Sequence, residues 1–291
     1  MGELGQRAVR GFIRAIGRMK RDQVITRCGI EMPYLFAGSG QPLLMIHGFA
    51  DRKETWSLTA PFLALRHQVL CPDLPGYGMA GPIEPSQASL TSQASFLLDF
   101  MDALGLESAH LCGNSMGGGV ALALAAAHPH RVRSLTLVAS VGPEQTPSEL
   151  RQQIDAGQNP LLPSDWPEYE AMMGLIFAAK PPLPRPLLKL MASEHIARRQ
   201  VYARQFDTAS EDFEINLEDI SAPALVIHGL RDRLVHPSTA QALARRIPDT
   251  RILLMSAVGH APQWEQPRQT QTAIATFLAE VEAAREVTAV A

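Results

Sequence analysis

The chain has 291 residues, of which 46% are hydrophobic and 19% charged, as is typical of globular proteins rather than disordered or fibrous ones. A chain of this length buries enough surface to fold without metals or disulfides. Its 26 basic and 29 acidic side chains give a formal net charge of −3, which argues against a nucleic-acid partner.

The first 21 residues differ in charge from the rest of the chain. They contain six basic side chains and one acidic one, whereas residues 22–291 carry 20 basic and 28 acidic ones. At about 100° per residue, their apolar and basic side chains fall on opposite sides of a helix. The apolar side is Val9, Phe12, Ile13, Ile16 and Met19, and the basic side is Arg7, Arg10, Arg14 and Arg18. We predict a basic amphipathic helix over residues 1–21.

Two interpretations of this helix are open. Residues 1–20 could make peripheral contact with an anionic membrane, with the arginines near the lipid phosphates. The same pattern fits a helix that packs on the body of the protein or on a second subunit. No apolar run reaches the ~18 residues of a spanning helix, and arginines interrupt the segment too often for a secretion signal. The expected location is the cytoplasm, with or without contact to the inner membrane surface.

Three cysteines, Cys28, Cys71 and Cys112, lie singly in apolar stretches. They have neither the spacing of a zinc site nor the even count of a disulfide framework. We expect all three to be small buried residues in a reducing compartment.

From residue 23, short apolar runs alternate with longer helical segments, which predicts a mostly parallel sheet covered by helices. The predicted strands are residues 23–28, 32–36, 42–47, 68–72, 109–113, 133–139, 224–229 and 251–255. The predicted helices are residues 55–65, 91–104, 116–127, 238–247 and 267–284. The first two strands flank a turn at Gly29, and helix 91–104 follows Ser89 and ends at Gly105, where a left-handed cap is expected.

One long segment breaks the alternation. About 80 proline-rich residues separate the strand at 133–139 from the next one, which is too long for a structureless loop in a compact domain. We predict that residues 143–217 form an inserted helical cap over the carboxyl end of the sheet, and that residues 22–142 and 218–291 form the sheet-based domain. The apolar side chains of the cap suit either its own core or a flexible apolar pocket.

Residues 112–118 read Cys-Gly-Asn-Ser-Met-Gly-Gly, follow a predicted strand and open an alanine-rich helix. This context fits the Gly-x-Ser-x-Gly turn, which exposes a nucleophilic serine between a strand and a helix. Gly113 and Gly117 leave room where the chain nearly touches itself, and a helix N-terminus favours developing negative charge. We predict that Ser115 is the nucleophile of an acyl transfer.

An acid and a histidine follow Ser115 in the chain order that such a site requires. Asp232 lies just past strand 224–229, and His260 follows the last predicted strand. Asp232 would fix the tautomer of His260, and His260 would take the proton of Ser115 and return it to the leaving group. Taken singly, Asp232 fits a helix N-terminal acid and His260 a loop residue, but their joint placement favours the catalytic interpretation.

Two backbone N–H groups are predicted to bind the oxyanion. One belongs to Met116, directly after the nucleophile, and the other to Phe49 in the loop after strand 42–47. Gly48 permits a close approach of this loop, and we expect His47 to fix the loop rather than to move protons. The remaining histidines show no ligand spacing, so no metal site is predicted. No cofactor is predicted either.

With these residues in place, the chain resembles the α/β-hydrolase fold family over about residues 23–284. The resemblance rests on His-Gly-Phe at residues 47–49, Asp-Leu-Pro-Gly-Tyr-Gly at 73–78, Gly-Asn-Ser-Met-Gly-Gly at 113–118, Asp232, and Gly-His at 259–260. It implies a mostly parallel central sheet with helices on both faces and an inserted helical cap. The oxyanion loop and the serine turn resemble those of small bacterial lipases, esterases and monoacylglycerol lipases. This implies a serine hydrolase of carboxylic esters, possible substrates being monoacylglycerols or phospholipids.

Phe49, Asn114 and Trp264 are candidates for contact with an acyl ester or lipid substrate. Two other functions stay open. Gly-Asn-Ser-Met-Gly-Gly at residues 113–118, together with Gln-Trp-Glu at 263–265, also resembles the carbon–carbon bond hydrolases of aromatic ring-fission products. His-Gly-Phe-Ala-Asp at 47–51 and Ala261 depart from that group. A non-catalytic ligand sensor on the same fold is the third possibility.

Overall fold

A computed structural model describes residues 19–143, 146–179, 185–209 and 214–290. Within them, the strands are β1 (Lys20–Ile25), β2 (Glu31–Ala37), β3 (Gln41–Ile46), β4 (His67–Pro72), β5 (Ala109–Asn114), β6 (Val132–Val138), β7 (Ala224–Gly229) and β8 (Thr250–Met255). The strands of this part of the chain form an eight-stranded sheet in the order β1-β2-β4-β3-β5-β6-β7-β8.

Helices connect the strands. They are α1 (Ala60–Leu63), α2 (Leu90–Ala103), α3 (Met116–Ala127), α4 (Glu149–Asp155), α5 (Trp166–Ile176), α6 (Arg185–Ala197), α7 (Arg199–Ala209), α8 (Ser238–Arg246), α9 (Pro262–Glu265) and α10 (Pro267–Val290). Short 3₁₀ turns occur at Lys53–Trp56, Pro85–Gln87 and Pro129–Arg131. As predicted, α2 begins after Ser89, whose side chain accepts from the N–H of Ser92, and Gly105 adopts a φ of +68°.

The pairing confirms a mostly parallel sheet. β1 and β2 pair antiparallel around the turn at Gly29, and β2 also runs antiparallel to β4. The strands from β4 and β3 through β8 pair in parallel. Because parallel strands are joined by helices that cover both faces of a sheet, the side chains of the central strands β5, β6 and β7 are buried on both faces, whereas most of those of the edge strand β8 are not.

Alternate side chains of the central strands enter two separate cores. In β3, Leu44 and Ile46 pack on the face covered by α2 and α3, whereas Leu43 and Met45 pack on the face covered by α10. This alternation follows from the two-residue period of a strand. Short apolar runs therefore mark these strands in the sequence, although β6 also contains Arg133, Ser134 and Thr136.

The first strand begins earlier than predicted. Lys20 and Arg21 belong to β1 and pair with Phe36 and Leu35 of β2, so the predicted helix does not extend to residue 21. β1 is an edge strand with mostly exposed side chains, so no apolar run marks its first residues, Lys20 and Arg21. Met19 is buried against the α10 side of the sheet. Residues 1–18, which carry the rest of the predicted amphipathic helix, lie outside the described residues.

Two further expectations are wrong. The helix predicted over residues 55–65 is a 3₁₀ turn at Lys53–Trp56 followed by the short α1, because Pro61 at the start of α1 lacks the N–H that a continuous helix needs. Cys71 and Cys112 are buried as expected, but Cys28 is exposed because it lies in the turn between β1 and β2.

Helices α4 to α7 occupy the segment for which a helical cap is predicted. They are anchored to the loop after β4, since the guanidinium group of Arg198 donates to the carbonyl oxygens of Gly76 (2.8 Å) and Gly78 (2.6 Å). In the described part of the chain, no helix combines the length and apolar character needed to cross a membrane.

Substitution of Gly117 tests the tight contact between α3 and β3. A Cβ atom at this residue would overlap with the carbonyl oxygens of Ile46 and His47. We expect Gly117→Ala to lower the free energy of unfolding by about 1–3 kcal/mol, because the added methyl group would overpack this contact. Gly174 of α5 has open space around it, so Gly174→Ala should raise the free energy of unfolding by about 0.5–1 kcal/mol. Urea titration followed by circular dichroism measures the free energy of unfolding of both variants. Equal values for Gly117→Ala and the parent would contradict the close approach of α3 to β3.

Candidate active site

Ser115 stands at the sharp turn between β5 and α3. Its backbone has φ 55° and ψ −123°, a conformation that side-chain-bearing residues rarely adopt. The turn is held in place because the N–H of Ser115 donates to the Val138 carbonyl of β6 at 3.0 Å. A Cβ atom at Gly113 would overlap with the Gly117 carbonyl, which is the close approach that the sequence predicts. The strained backbone of Ser115 is therefore held by β5, which precedes it, and by its hydrogen bond to β6.

The structure brings Asp232 and His260 together. Nδ1 of His260 lies 2.8 Å from Oδ2 of Asp232, and both side chains are buried. The other carboxylate oxygen of Asp232 accepts from the N–H groups of Leu234 (2.9 Å) and Val235 (3.0 Å). Nε2 of His228 lies 3.1 Å from Oδ2 and also 3.0 Å from the Val235 carbonyl.

These contacts decide the charge of Asp232. Burial by itself raises the pKa of the carboxyl group, but the adjacent His260 and His228 rings outweigh burial and hold the pKa of Asp232 well below its usual range. An ionised carboxylate beside Nδ1 favours the tautomer of His260 that carries its proton there. Nε2 is then the ring nitrogen that can accept a proton.

The loop after β3 approaches the serine turn. A Cβ atom at Gly48 would lie 3.2 Å from Cβ of Ser115, so this loop and the serine are in direct contact. Ala50 has a φ of 55°, a second strained backbone position near the same point. His47 fixes the loop as expected, because its Nδ1 lies 2.8 Å from the Gly48 carbonyl and its Nε2 accepts from the Leu74 N–H at 2.9 Å. Burial lowers the pKa of His47, which keeps the ring neutral.

A buried ion pair that sequence reasoning missed supports this loop. The ammonium group of Lys53 contacts the carboxylate of Asp73, and the backbone N–H of Lys53 donates to the same carboxylate at 2.8 Å. Asp73 also accepts from the N–H of Met79 at 2.8 Å. Burial opposes ionisation of Asp73, but Lys53 lowers its pKa below the usual range. Asp73 belongs to the motif at residues 73–78, whereas no local pattern marks Lys53 as buried.

Most of the predicted site residues line a single cavity. Its lining includes Ser115, His260, Phe49, Asn114 and Trp264. Asp232 lies behind His260, and Met116 is a buried residue at the start of α3, where the first N–H groups have no partner within the helix. The oxyanion role of the Phe49 and Met116 N–H groups remains a prediction.

The apolar part of the cavity wall comes largely from α5 and α6. It contains Leu161, Met172, Met173, Ile176, Phe177, Leu188, Leu190 and Met191. Charged side chains also line the cavity, namely Asp51, Arg52, Glu54 and Glu194. Arg52 and Glu194 form an ion pair that joins the loop after β3 to α6, a contact without a sequence signal.

The three candidate substrate contacts also bind neighbouring protein groups. The Asn114 side-chain nitrogen donates to the carbonyls of Val138 (3.0 Å) and His260 (3.3 Å), so it links the serine turn to the histidine loop. Nε1 of Trp264 donates to the Thr55 hydroxyl at 3.0 Å. The ring of Phe49 packs against Tyr77, Tyr202 and Phe206, with centroid distances of 5.3–6.0 Å.

No group of three or more His, Cys, Asp or Glu side chains is arranged to hold a metal ion within the described ranges. The arrangement at Ser115 needs none. A serine on a strained turn, a histidine in the same cavity and a buried carboxylate behind the histidine together have the parts required for nucleophilic acyl transfer.

The family model of the alpha/beta hydrolase family matches residues 43–271. Lipase 1 of Psychrobacter immobilis is 31% identical over 271 residues, which cover 88% of this chain and 83% of that protein. Monoacylglycerol lipase ABHD6 of Homo sapiens is 30% identical over 271 residues, which cover 86% of this chain and 80% of that protein.

Among solved structures, the crystal structure of a membrane phospholipase A, described as a bacterial virulence factor, superimposes with a TM-score of 0.89 at 32% identity. The match covers 95% of this chain and 91% of that one. The sheet order, the serine turn and these matches agree, and the chain belongs to the alpha/beta hydrolase family.

Proposed function

We propose that this chain is a serine hydrolase of carboxylic esters whose substrates are lipids with an uncharged alcohol part. The observation that carries the proposal is the hydrogen bond between Asp232 and His260 at 2.8 Å beside the cavity that Ser115 lines. Lipase and monoacylglycerol lipase relatives, which match most of the chain, support the same reaction class.

In the first step, His260 takes the Ser115 proton on Nε2 while Oγ attacks the ester carbonyl carbon. The negative charge that develops on the carbonyl oxygen is stabilised by the backbone N–H groups of Phe49 and Met116. Collapse of this intermediate breaks the carbon–oxygen bond of the ester. His260 gives its proton to the departing alcohol, and the acyl group stays on Ser115.

In the second step, His260 takes a proton from water, and the resulting hydroxide equivalent attacks the acyl-enzyme. The carboxylic acid leaves when His260 returns the proton to Oγ of Ser115. Asp232 remains ionised throughout, because its contacts hold its pKa low, and it stabilises the imidazolium form of His260.

Removal of the nucleophile tests the proposed function. We expect Ser115→Ala to lower kcat for p-nitrophenyl butyrate by about 10³-fold or more, because only binding and the oxyanion donors remain. Release of nitrophenol measures the rate. Ser95→Ala is the matched control, since Ser95 is an exposed serine of α2 whose hydroxyl donates to the Thr91 carbonyl.

Parent-level activity of Ser115→Ala would exclude Ser115 as the nucleophile. A ring-fission diene ketone serves as the second substrate in the same assay. Turnover of that compound by the parent, with all esters inert, would assign carbon–carbon bond cleavage instead. Binding of both compounds without turnover would assign a ligand sensor.

The cavity offers two different environments to a substrate. The apolar wall from α5 and α6 suits an acyl chain, and its methionines adapt to chains of different shape. The charged side chains that line the cavity are three carboxylates, Asp51, Glu54 and Glu194, and one guanidinium group, Arg52. Arg52 and Glu194 offset each other as an ion pair, which leaves the carboxyl groups of Asp51 and Glu54. Burial raises the pKa of Glu54, so the net charge of the four side chains lies between −1 and −2. Carboxylates accept hydrogen bonds from hydroxyl groups and repel anions.

A monoacylglycerol should therefore be a better substrate than a lipid with an anionic headgroup. A like charge at about 7 Å in an effective dielectric of about 20 costs about 2 kcal/mol. We expect kcat/KM for a 1-monoacylglycerol to exceed that for the 1-acylglycerol 3-phosphate of the same chain by at least about 10-fold. Measurements below the critical micelle concentration of each lipid compare the two.

Asp51→Asn should lower the ratio of kcat/KM for the monoacylglycerol to kcat/KM for the acylglycerol phosphate, because it removes one of the repelling carboxylates. Glu218→Gln is its control, because Glu218 pairs with Arg246 and is absent from the cavity lining. A ratio near one for the parent protein would contradict the charge argument. It would leave ester hydrolysis by Ser115 intact.

We also propose that residues 1–18 bring the enzyme to an anionic membrane surface. Their sequence pattern separates four arginines from an apolar side, and the rest of the chain is acidic, so the body alone has no net attraction to anionic lipid. A membrane-bound position would place the cavity near lipid substrates.

Deletion of residues 1–18 tests membrane binding without disturbing β1 or the buried Met19. We expect the parent to float with vesicles that contain phosphatidylglycerol and the shortened chain to stay at the bottom of the gradient. Replacement of Arg7, Arg10, Arg14 and Arg18 by Gln should weaken flotation, because each charge contributes about 1 kcal/mol. Equal flotation of the parent and the shortened chain would disprove this role.

A further inference from the structure

Glu265 lies at the end of α9, five residues after His260, and its carboxylate binds two separate segments of the chain. Oε1 accepts from the N–H of Gly259 at 2.8 Å, and Oε2 accepts from the N–H of Ala178 at 2.9 Å. Gly259 directly precedes the candidate catalytic histidine. Ala178 follows the end of α5. One side chain therefore holds the histidine loop and the end of a cap helix at the same time.

A backbone contact joins the same two segments. The N–H of His260 donates to the carbonyl of Ile176, the last residue of α5, at 2.8 Å. The approach is close enough that a Cβ atom at Gly259 would lie 2.6 Å from that carbonyl oxygen and 2.8 Å from the Ala178 nitrogen. The two segments cannot separate without breaking these bonds.

The tethered end of α5 is part of the cavity wall. Met172, Met173, Ile176 and Phe177 all line the cavity that holds Ser115 and His260. The wall that contacts the acyl chain and the base that acts on Ser115 are thus connected through Glu265. A displacement of this wall would be transmitted to His260.

The chemistry of the contact calls for a carboxylate. Both partners are N–H donors, so both oxygens of the side chain must accept. A glutamine of the same shape has one acceptor oxygen, and its amide group would face the second N–H as another donor. Burial raises the pKa of Glu265, while the backbone N–H groups that it accepts from oppose the rise.

We propose that Glu265 is a positioning residue that sets His260 relative to Ser115 by fixing the histidine loop to the end of α5. This inference rests on the proposed ester hydrolysis. It concerns the geometry of the base and assigns Glu265 no contact with the reacting atoms.

Glu265→Gln tests this role. A fluorophosphonate that labels Ser115 to completion gives the number of folded active sites in each preparation. Division of the measured rate by this number gives kcat per site. We expect kcat per site for p-nitrophenyl butyrate to fall about 10- to 100-fold, because displacement of a catalytic group by about 1 Å has an effect of this size. KM for this short ester should stay within about 3-fold of the parent value, since the substrate does not contact Glu265. For p-nitrophenyl decanoate, whose chain reaches the α5 wall, KM should rise as well.

Two further variants distinguish a positioning role of Glu265 from a general effect on the stability of the fold. Glu218→Gln removes a carboxylate that accepts two hydrogen bonds from Arg246 at a site remote from the cavity, and its kcat per site should equal that of the parent. Glu265→Asp keeps the charge on a shorter side chain, so its kcat per site should lie between those of the parent and Glu265→Gln. It also serves as the decisive variant if Glu265→Gln does not fold.

A purely structural role would reduce the number of labelled sites and leave kcat per site unchanged in both Glu265 variants. That result would overturn the proposal. Ser115→Ala in the same assay separates this failure from failure of the proposed function. If Ser115→Ala is inactive while the Glu265 variants keep parent kcat per site, only the positioning role is wrong. If Ser115→Ala is active, ester hydrolysis by Ser115 is wrong.

Discussion

The strained backbone of Ser115 is the constraint on which the site depends. A residue with a side chain holds φ 55° only if its surroundings leave no alternative. Here β5 lies near the middle of the sheet, the Val138 carbonyl of β6 binds the Ser115 N–H, and α3 leaves from the next residue. Because Gly113 and Gly117 have no side chains, the strand, the turn and the helix approach within contact distance. The sheet thus holds the serine at a point where β3, β5 and β6 all end.

Two buried carboxylates, Asp232 and Asp73, support the segments around this turn. Asp232 is ionised below the surface because four donors surround its two oxygens. Asp73 is ionised for a similar reason, since Lys53 and backbone N–H groups bind it. A buried carboxylate without such donors would take up a proton. The two acids differ in what they support: Asp232 orients His260, whereas Asp73 anchors the loop that carries Phe49.

Local patterns in the sequence were sufficient for the central strands and for the order of Ser115, Asp232 and His260. Each of these features lies within a short segment, where glycines indicate a close approach of the backbone and apolar runs indicate a buried strand. The failures share a different cause. The start of β1 has exposed side chains and depends on pairing with β2, and the burial of Lys53 depends on Asp73, which lies 20 residues further along the chain. Contacts between distant segments leave no periodic signal in either segment.

The helices between β6 and β7 are joined to the candidate site by three kinds of contact. Glu265 and the Ile176 carbonyl hold α5 to the histidine loop, the Arg52–Glu194 ion pair holds α6 to the loop after β3, and α7 packs its aromatic rings on Phe49. Each contact ends at a segment that carries a proposed catalytic group. A cap that opened as one rigid lid would have to break a contact at the base and another at the oxyanion loop. These contacts therefore favour a predicted cap that stays in place as a fixed wall of the cavity, with its methionines supplying the adaptation to substrate.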